Sequence, residues 1–502
     1  MAAAHCCDGR PFLVIYCAVL AYFSVAFMGI ALLPANLMDI ALRDNPDMTK
    51  DEIAVVVSTQ MGTCSLVNGI LSVAVAGWAG RLSDRFGRRR CAALPALGQA
   101  VGVALLSLSA RLELSWHFVL LGWAITGSLG GPFVFLAASF AYIADWTKAA
   151  RRGRAFAGVE GLMLYISAVG PLVAGLLIKT TGFAGIWGLC SALYATAAVV
   201  VGVVAPPSPQ PPPQPAPCIS WLQASTPVLV GRLMLGSERE VKLLAVAFLL
   251  VLIGVNGGLQ AFVLYSQRYL GWQEARLGEY VALFSAIAAT LILAATAVLP
   301  RLLRYFGRAM YVASRTSPPC TRPPEPQAPH AHYARVPRPH RIADLHMVRC
   351  CTVGPVIYLL LIALLPSPAH IAFYAMPLLG LNACALPFFR ACFSKARPLD
   401  RQGETLMLVA ALESVAQMVA APLAALGFAL LLHAPRLVFI FGAGLVVVAM
   451  FVLAFIRESA LRRTEPLGQL LSEEGESPCR STDVPNADCA VPAVDPIVPS
   501  AR

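Results

Sequence analysis

The stretch Gly80-Arg-Leu-Ser-Asp84-Arg85-Phe-Gly87-Arg88-Arg-Arg90 sets one acid and two glycines among a run of arginines. Its chemistry is ion pairing, not bond making. Gly87 permits a tight turn that lets two helices meet. Asp84 can accept backbone N–H bonds at a neighbouring helix N-terminus, where the macrodipole favours an anion. Arg88 can pair with an acid from another helix. Such a cluster can latch two bodies in one state and release them in another. The other reading is that these arginines only set membrane orientation.

Three further charges stand inside apolar runs: Glu160, Arg390 and Glu413. A charge within a span costs about 2.5–3.5 kcal/mol on insertion scales, so it tends to face a cavity or a partner. A carboxyl there can load and release a proton as its access changes. Both Glu160 and Arg390 also fit a place near the interface, where Glu160 would snorkel or pair with Arg154. Glu413 lies about two turns inside its run and is the deepest of the three.

The elements that must position these residues follow from composition. Of 502 residues, 58% are hydrophobic and only 13% charged, with a mean hydropathy of +0.70. A soluble protein carries roughly twice that charge density. We therefore expect an all-α, polytopic membrane protein of twelve transmembrane helices in two pseudo-symmetric six-helix halves. Uncharged apolar stretches long enough to cross fall near 11–36, 53–79, 91–110, 117–142, 156–178 and 183–205, then near 243–265, 277–300, 350–366, 369–394, 405–432 and 435–456. The first run is too long for a signal peptide. The net charge of +11 is clustered between spans, which excludes a nucleic-acid face. The 14 cysteines show neither metal-ligand spacing nor a disulfide framework. Cofactor and metal are both expected to be none, and no nucleophile–base arrangement points to an enzyme.

Residues 1–205 are expected to form the first half and 206–241 a Pro-rich cytoplasmic linker. The second half would span 242–456, with a low-complexity insertion at 310–348, and 457–502 would be a cytoplasmic tail. Basic clusters at Arg81–Arg90, Lys148–Arg154, Arg301–Arg308, Lys395–Arg401 and Arg457–Arg463 fall in alternate loops, which puts both termini in the cytoplasm. Arg301-Leu-Leu-Arg-Tyr-Phe-Gly-Arg308 repeats Arg81-Leu-Ser-Asp-Arg-Phe-Gly-Arg88 in register, consistent with duplication.

The Gly80–Arg90 loop resembles the hallmark loop of the major facilitator superfamily, and the resemblance names Asp145 as the acid for Arg88. The latch set is thus Gly80, Asp84, Arg85, Gly87, Arg88 and Asp145. Leu136-Ala-Ala-Ser-Phe-Ala-Tyr-Ile-Ala-Asp145-Trp-Thr147 followed by Glu160, and Arg390-Ala-Cys-Phe-Ser-Lys395 followed by Arg401-Gln-Gly-Glu404, resemble the proton-coupled folate transporter family. That resemblance implies proton coupling at Glu160 and substrate or proton binding at Arg390; it carries no role for Glu413. It departs where the family's fourth-span acid falls at Gly131 and its seventh-span histidine near Val255 or Asn256. Gly170-Pro171, with Gly175, is similar to the antiporter motif of drug–proton exchangers; a packing kink explains it equally.

By resemblance, the first, fourth, seventh and tenth spans line a cavity, making Asn36, Asn256, Gln260 and Asn382 substrate-binding candidates or, equally, helix-packing polar residues. The expected function is proton-coupled transport of a small organic solute by alternating access. The alternatives are a drug–proton antiporter and a non-transporting receptor or scaffold. The expected partners are the lipid bilayer, the solute and protons. A monomer is expected, in the plasma membrane or in a vacuolar or other internal membrane.

Overall fold

The computed structural model describes residues 10–148, 151–208, 239–272, 274–315, 343–366, 368–396, 402–431 and 433–456. Every regular element among them is helical: α1 (Arg10–Asp44), α2 (Lys50–Phe86), α3 (Arg88–Arg111), α4 (Trp116–Ser128), α5 (Gly131–Trp146), α6 (Arg152–Val199), α7 (Arg239–Tyr269), α8 (Glu274–Arg315), α9 (Ala343–Cys351), α10 (Val353–Leu364), α11 (Pro368–Tyr374), α12 (Met376–Lys395), α13 (Gln402–Leu430) and α14 (Leu437–Ala454). A π-helical turn at Val200–Val204 extends α6.

Among the described residues these helices make twelve crossings. Helix α6, at 48 residues, would run about 70 Å if straight, more than twice the hydrocarbon thickness. It is broken at Gly182, where φ is 66° and ψ 179°, so it supplies the fifth and sixth crossings. The fourth is α4 with α5, jointed at Gly130 and Gly131 with φ of 105° and 60°. The ninth is α9 with α10.

Between helices in lipid there is little hydrophobic drive, so close approach depends on small residues. A Cβ on Gly102 would lie 2.6 Å from the Gly122 carbonyl oxygen, and one on Gly254 would lie 2.8 Å from that of Gly442. These contacts seat α3 on α4 and α7 on α14. Each half has its own buried core. Tyr22 stacks on Phe135, centroids 3.9 Å apart, in the first half. Phe248 packs on Phe389 at 5.1 Å in the second. Leu172, Leu176, Val203 and Phe451 stay exposed, as a lipid-facing surface requires. Outside the spans, Thr49 and Glu52 form a capping box at the start of α2, and the Thr49 amide and hydroxyl hold the Glu52 carboxyl below its usual range.

Two boundaries differ from the sequence expectation. Helix α8 continues to Arg315 and α9 opens at Ala343, so helix enters both ends of the stretch read as the 310–348 insertion. The apolar periodicity of Leu345, Met347, Val348 and Cys351, all buried, starts the ninth crossing earlier than charge counting placed it. The repeated loops also differ: Gly87, with φ 99°, ends α2, while Gly307 sits within continuous helix. Residues 316–342, most of 206–241 and all of 457–502 lie outside the described residues.

Candidate functional site

At the end of the bundle that holds the α2–α3 turn, Asp84 projects from the last turn of α2 onto the N-terminus of α13. Its carboxylate oxygens accept the amides of Gly403 at 2.9 Å and Glu404 at 3.0 Å. These are orphan donors of a helix first turn, and the macrodipole favours the anion that meets them. Four residues on, across the Gly87 turn, Arg88 pairs with Asp84 and donates from Nε to Asp145 at 3.1 Å. Gly80 makes the approach possible: a Cβ there would lie 3.0 Å from the Glu404 Cα.

A second link joins the halves at the other end of the α12–α13 connection. Arg152 donates from Nη1 to the carbonyl oxygen of Ser394 at 3.2 Å and to its hydroxyl at 3.0 Å. Gln402 donates to the same carbonyl at 2.7 Å and accepts the Ser394 hydroxyl at 2.7 Å. A cation thus meets the C-terminal end of α12 and an anion the N-terminal end of α13, each the sign that its dipole favours.

Deeper in the bundle the three intramembrane charges converge. Arg390 of α12 donates from Nε at 2.9 Å and from Nη2 at 2.6 Å to Oε1 of Glu413 on α13. Its Nη1 donates to Oε1 of Glu160 on α6, across the boundary between the halves. All three are buried: Glu160 is 2%, Arg390 5% and Glu413 5% exposed. The Phe140 ring lies over the guanidinium, 4.9 Å from Cζ to centroid. Two carboxylates around one guanidinium leave the cluster one negative charge in excess when both are ionised.

A sequence profile of the Major Facilitator Superfamily matches residues 14–315. The chain belongs to that superfamily. Among curated proteins, the Hippocampus abundant transcript 1 proteins of Mus musculus and Homo sapiens are each 25% identical over 245 residues, 48% of this chain and 47% of theirs. The chain spans about half the length of the curated relatives it matches. Among solved structures, the human organic anion transporter MFSD10 (TETRAN) superposes with a TM-score of 0.67 at 16% identity, covering 88% of this chain and 99% of that one. A bacterial homologue of the iron transporter ferroportin, in an outward-facing state, gives 0.61 at 12% identity over 89% and 98%. A variant of the E. coli fucose:proton symporter FucP gives 0.59 at 12% identity over 89% and 98%. These likenesses show the major facilitator fold.

Within this superfamily member, the structure brings together Gly80, Asp84, Gly87, Arg88 and Asp145, but not Arg85. Asp84 stands in the last turn of α2 and Arg88 opens α3 across the Gly87 turn, while Arg85 leaves α2 about 100° around from Asp84. It is exposed and lies over its neighbour Phe86, 5.6 Å from the ring centroid. The pairing of Glu160 with Arg154 is replaced by the pairing with Arg390. Asn36 and Asn382 are buried, with Nδ2 of the first and Oδ1 of the second lacking a hydrogen-bond partner. Half-buried Asn256 and exposed Gln260 lie on the face of α7 turned away from α10 and α14, which Gly258 and Gly254 approach. Gly170 seats α6 on α1: a Cβ there would lie 3.0 Å from the Phe27 Cβ and 3.2 Å from the Met28 amide nitrogen. Gly170 is thus a close-packing position between α6 and α1. The missing fourth-span acid also has a reason. Gly131 needs its positive φ, and a Cβ there would lie 2.7 Å from Ser72 Oγ.

Sequence reasoning did not single out Arg152, Ser394, Gln402, Gly403 or Phe140. Arg152 is one basic residue in a topogenic cluster, and Gln402-Gly403 stands between charged residues that carry the family resemblance. The signal available was position: Arg152, Ser394, Gln402 and Gly403 each stand within the first or last turn of a helix beside a basic loop.

Proposed function

We infer that this chain is a secondary-active transporter that moves a small organic solute by alternating access, with protons as the coupling ion. The Glu160–Arg390–Glu413 cluster carries the reading. Arg390 and Glu413 belong to one half and are doubly bonded to each other, whereas Glu160 belongs to the other half and meets Arg390 by one nitrogen. A proton taken up by Glu160 removes the charge that bridges the halves and leaves the Arg390–Glu413 pair in place. The same proton cancels the excess negative charge, so proton binding and opening are one event.

The basic loops put the α2–α3 end in the cytoplasm. On that orientation the Asp84–Arg88–Asp145 and Arg152–Ser394 contacts act as latches of a cytoplasm-closed state, and both termini lie on the cytoplasmic side. Asn36, Asn256, Gln260 and Asn382 are the side chains from which a polar solute would draw hydrogen bonds. The organic anion named for MFSD10 and the proton named for the fucose symporter fit this class of cargo.

The test uses purified protein in liposomes under an imposed pH gradient, with radiolabelled monocarboxylates, hexoses and amino acids as probes. A solute flux driven by the gradient and abolished in Glu160→Gln supports the reading. A carried solute whose flux ignores the gradient overturns it.

A further inference from the structure

The segment leaving α6 is strapped to the latch by contacts that transport chemistry does not use. Arg89 donates to the Ala205 carbonyl at 3.1 Å, and the Tyr142 hydroxyl donates to the Pro206 carbonyl at 2.9 Å. The Ser208 hydroxyl then donates to Asp145 Oδ2 at 2.6 Å, the same oxygen that receives Arg88 Nε. Ser208 is thus a direct partner of the latch acid. The Asp145 side chain is fully buried, and its second oxygen, Oδ1, has no hydrogen-bond partner. Ser208 itself is only half-buried, with backbone around it extended by Pro206 and Pro207 and followed by Pro209.

We propose that Ser208 is a phosphorylation site for a proline-directed protein kinase and that its phosphate unlatches the two halves. The inference rests on the cytoplasmic placement of this end of the bundle. In the step itself, Ser208 Oγ forms a bond to the γ-phosphorus of ATP. The bond from that phosphorus to the β,γ-bridging oxygen breaks, ADP leaves with the electron pair, and the hydroxyl proton passes to the kinase's general base. The modification replaces a neutral donor with a group of about −1.5 to −2 charge that can only accept. Beside the Asp145 carboxylate such a group is repelled. Arg88 bonds the same Asp145 oxygen as Ser208, Arg89 holds the Ala205 carbonyl and Arg152 acts on Asp145 electrostatically, and any pairing with Arg88 draws that guanidinium from Asp84 and Asp145. Each consequence weakens the same junction. The hydroxyl must leave Asp145 to enter a kinase, so the form with Ser208 released is the one modified and the phosphate hinders its return to Asp145.

Amide exchange reads the latch without touching it. The Gly403 and Glu404 amides, at the first turn of α13, have Asp84 as their acceptor, so opening exposes them. The full-length chain in lipid nanodiscs carries Thr226→Ala, Ser317→Ala, Ser367→Ala and Ser477→Ala, which remove the other Ser/Thr-Pro sites of the sequence. It is treated with a proline-directed kinase and ATP and followed by hydrogen-exchange mass spectrometry of the peptide spanning 402–410. The expected result is phosphate on Ser208 and faster exchange at Gly403 and Glu404, by roughly 5- to 150-fold, the range of ordinary coupling between linked sites. Ser208→Ala shows no response to the kinase, and Ser208→Thr restores it. Absence of phosphate on Ser208 overturns the proposal, as does stoichiometric phosphate with unchanged exchange. The readout is conformational, so it stands apart from whether protons drive the flux.

Discussion

Asp84 accepts the backbone amide of Gly403 at 2.9 Å, so an acid of the first half caps a helix of the second. Gly403 has no room for a side chain: a Cβ there would lie 2.7 Å from Asp84 Oδ1, 2.9 Å from the Gly80 carbonyl oxygen, and against Arg88 Nη1. The Gly403→Ala variant should therefore push the halves apart while leaving α13 intact. Asp84→Ala should act in the same direction by removing the acceptor, at a cost to the closed state of about 1–2 kcal/mol, as for lost caps and helix–charge contacts. Asp84→Asn keeps an acceptor oxygen and should cost less. The measurement is amide exchange of residues 402–410; equal protection in all three variants and the unmodified chain would remove Asp84 from the latch.

Arg152 and Asp84 grip opposite ends of the same connection, and Gln402 links them by bonding to Ser394 one residue before Gly403. Losses at the two grips should accordingly be non-additive. In a double-mutant cycle of Arg152→Ala and Asp84→Ala, the coupling should fall between about 0.5 and 3 kcal/mol, the range for residues in one network. Arg152→Lys should recover only part of the loss, since an ammonium cannot reproduce the guanidinium fork. Exchange at Gly403 read across the four variants gives the coupling directly, and strict additivity would show two independent contacts.

Glu160 and Glu413 touch the same guanidinium and should nonetheless differ on substitution. Glu160→Gln keeps the shape of the bridge and removes its titration, so it should retain solute exchange and lose its dependence on the pH gradient. Glu413→Gln keeps an acceptor oxygen but removes the charge that takes two of the Arg390 hydrogen bonds. Breaking a buried pair from one side costs about 3–5 kcal/mol, so this variant should show a lowered melting temperature and poor yield. Thermal unfolding and gradient-driven exchange on both variants separate the roles, and a reversed pattern would assign the proton to Glu413.

The direction of the pH effect follows from which charge form closes the bundle. The ionised Glu160 bridges to Arg390, so the closed state binds fewer protons than the open one and acid must favour opening. The protection of the Gly403 and Glu404 amides, their exchange rate measured against the intrinsic rate at each pH, should therefore fall as pH falls in the unmodified chain. In Glu160→Gln that dependence should flatten.

The architecture was legible because lipid imposes it. Apolar runs and alternating basic loops mark crossings one by one, and the superfamily loop is local in sequence. Asp84, Gly87 and Arg88 could be read for the same reason, being neighbours on one turn. The convergence of Glu160, Arg390 and Glu413 could not: each announced itself by the cost of its charge, but its partners lie 23 and 230 residues away. Arg85 lies apart for the opposite reason, since adjacency in a motif says nothing about the roughly 100° of helix rotation that separates it from Asp84. Gln402 and Gly403 carried only the signal of their position beside a basic loop, and amides and glycines at helix starts are common. The helical reach of α9 back to Ala343 was hidden by prolines and histidines immediately before it, which drew the boundary too late.

Arg390 offers a last test, because its geometry depends on a planar fork. Its Nε and Nη2 address one oxygen of Glu413, its Nη1 addresses Glu160, and its flat face meets Phe140. Lysine has three donors on a single point charge and cannot hold carboxylates on two helices while stacking on a ring. Arg390→Lys should preserve the charge balance and the fold, yet lose the bridge to Glu160 or the pairing with Glu413. If the bridge is lost, amide exchange at Gly403 rises while the melting temperature changes little. If the pairing is lost, the melting temperature falls towards that of Glu413→Gln. Phe140→Leu, which keeps the bulk and removes the ring face, should reproduce only the stacking contribution, about 1–2 kcal/mol for a desolvated cation–π contact. A lysine variant matching the unmodified chain in exchange, stability and gradient response would show that charge alone suffices at this position.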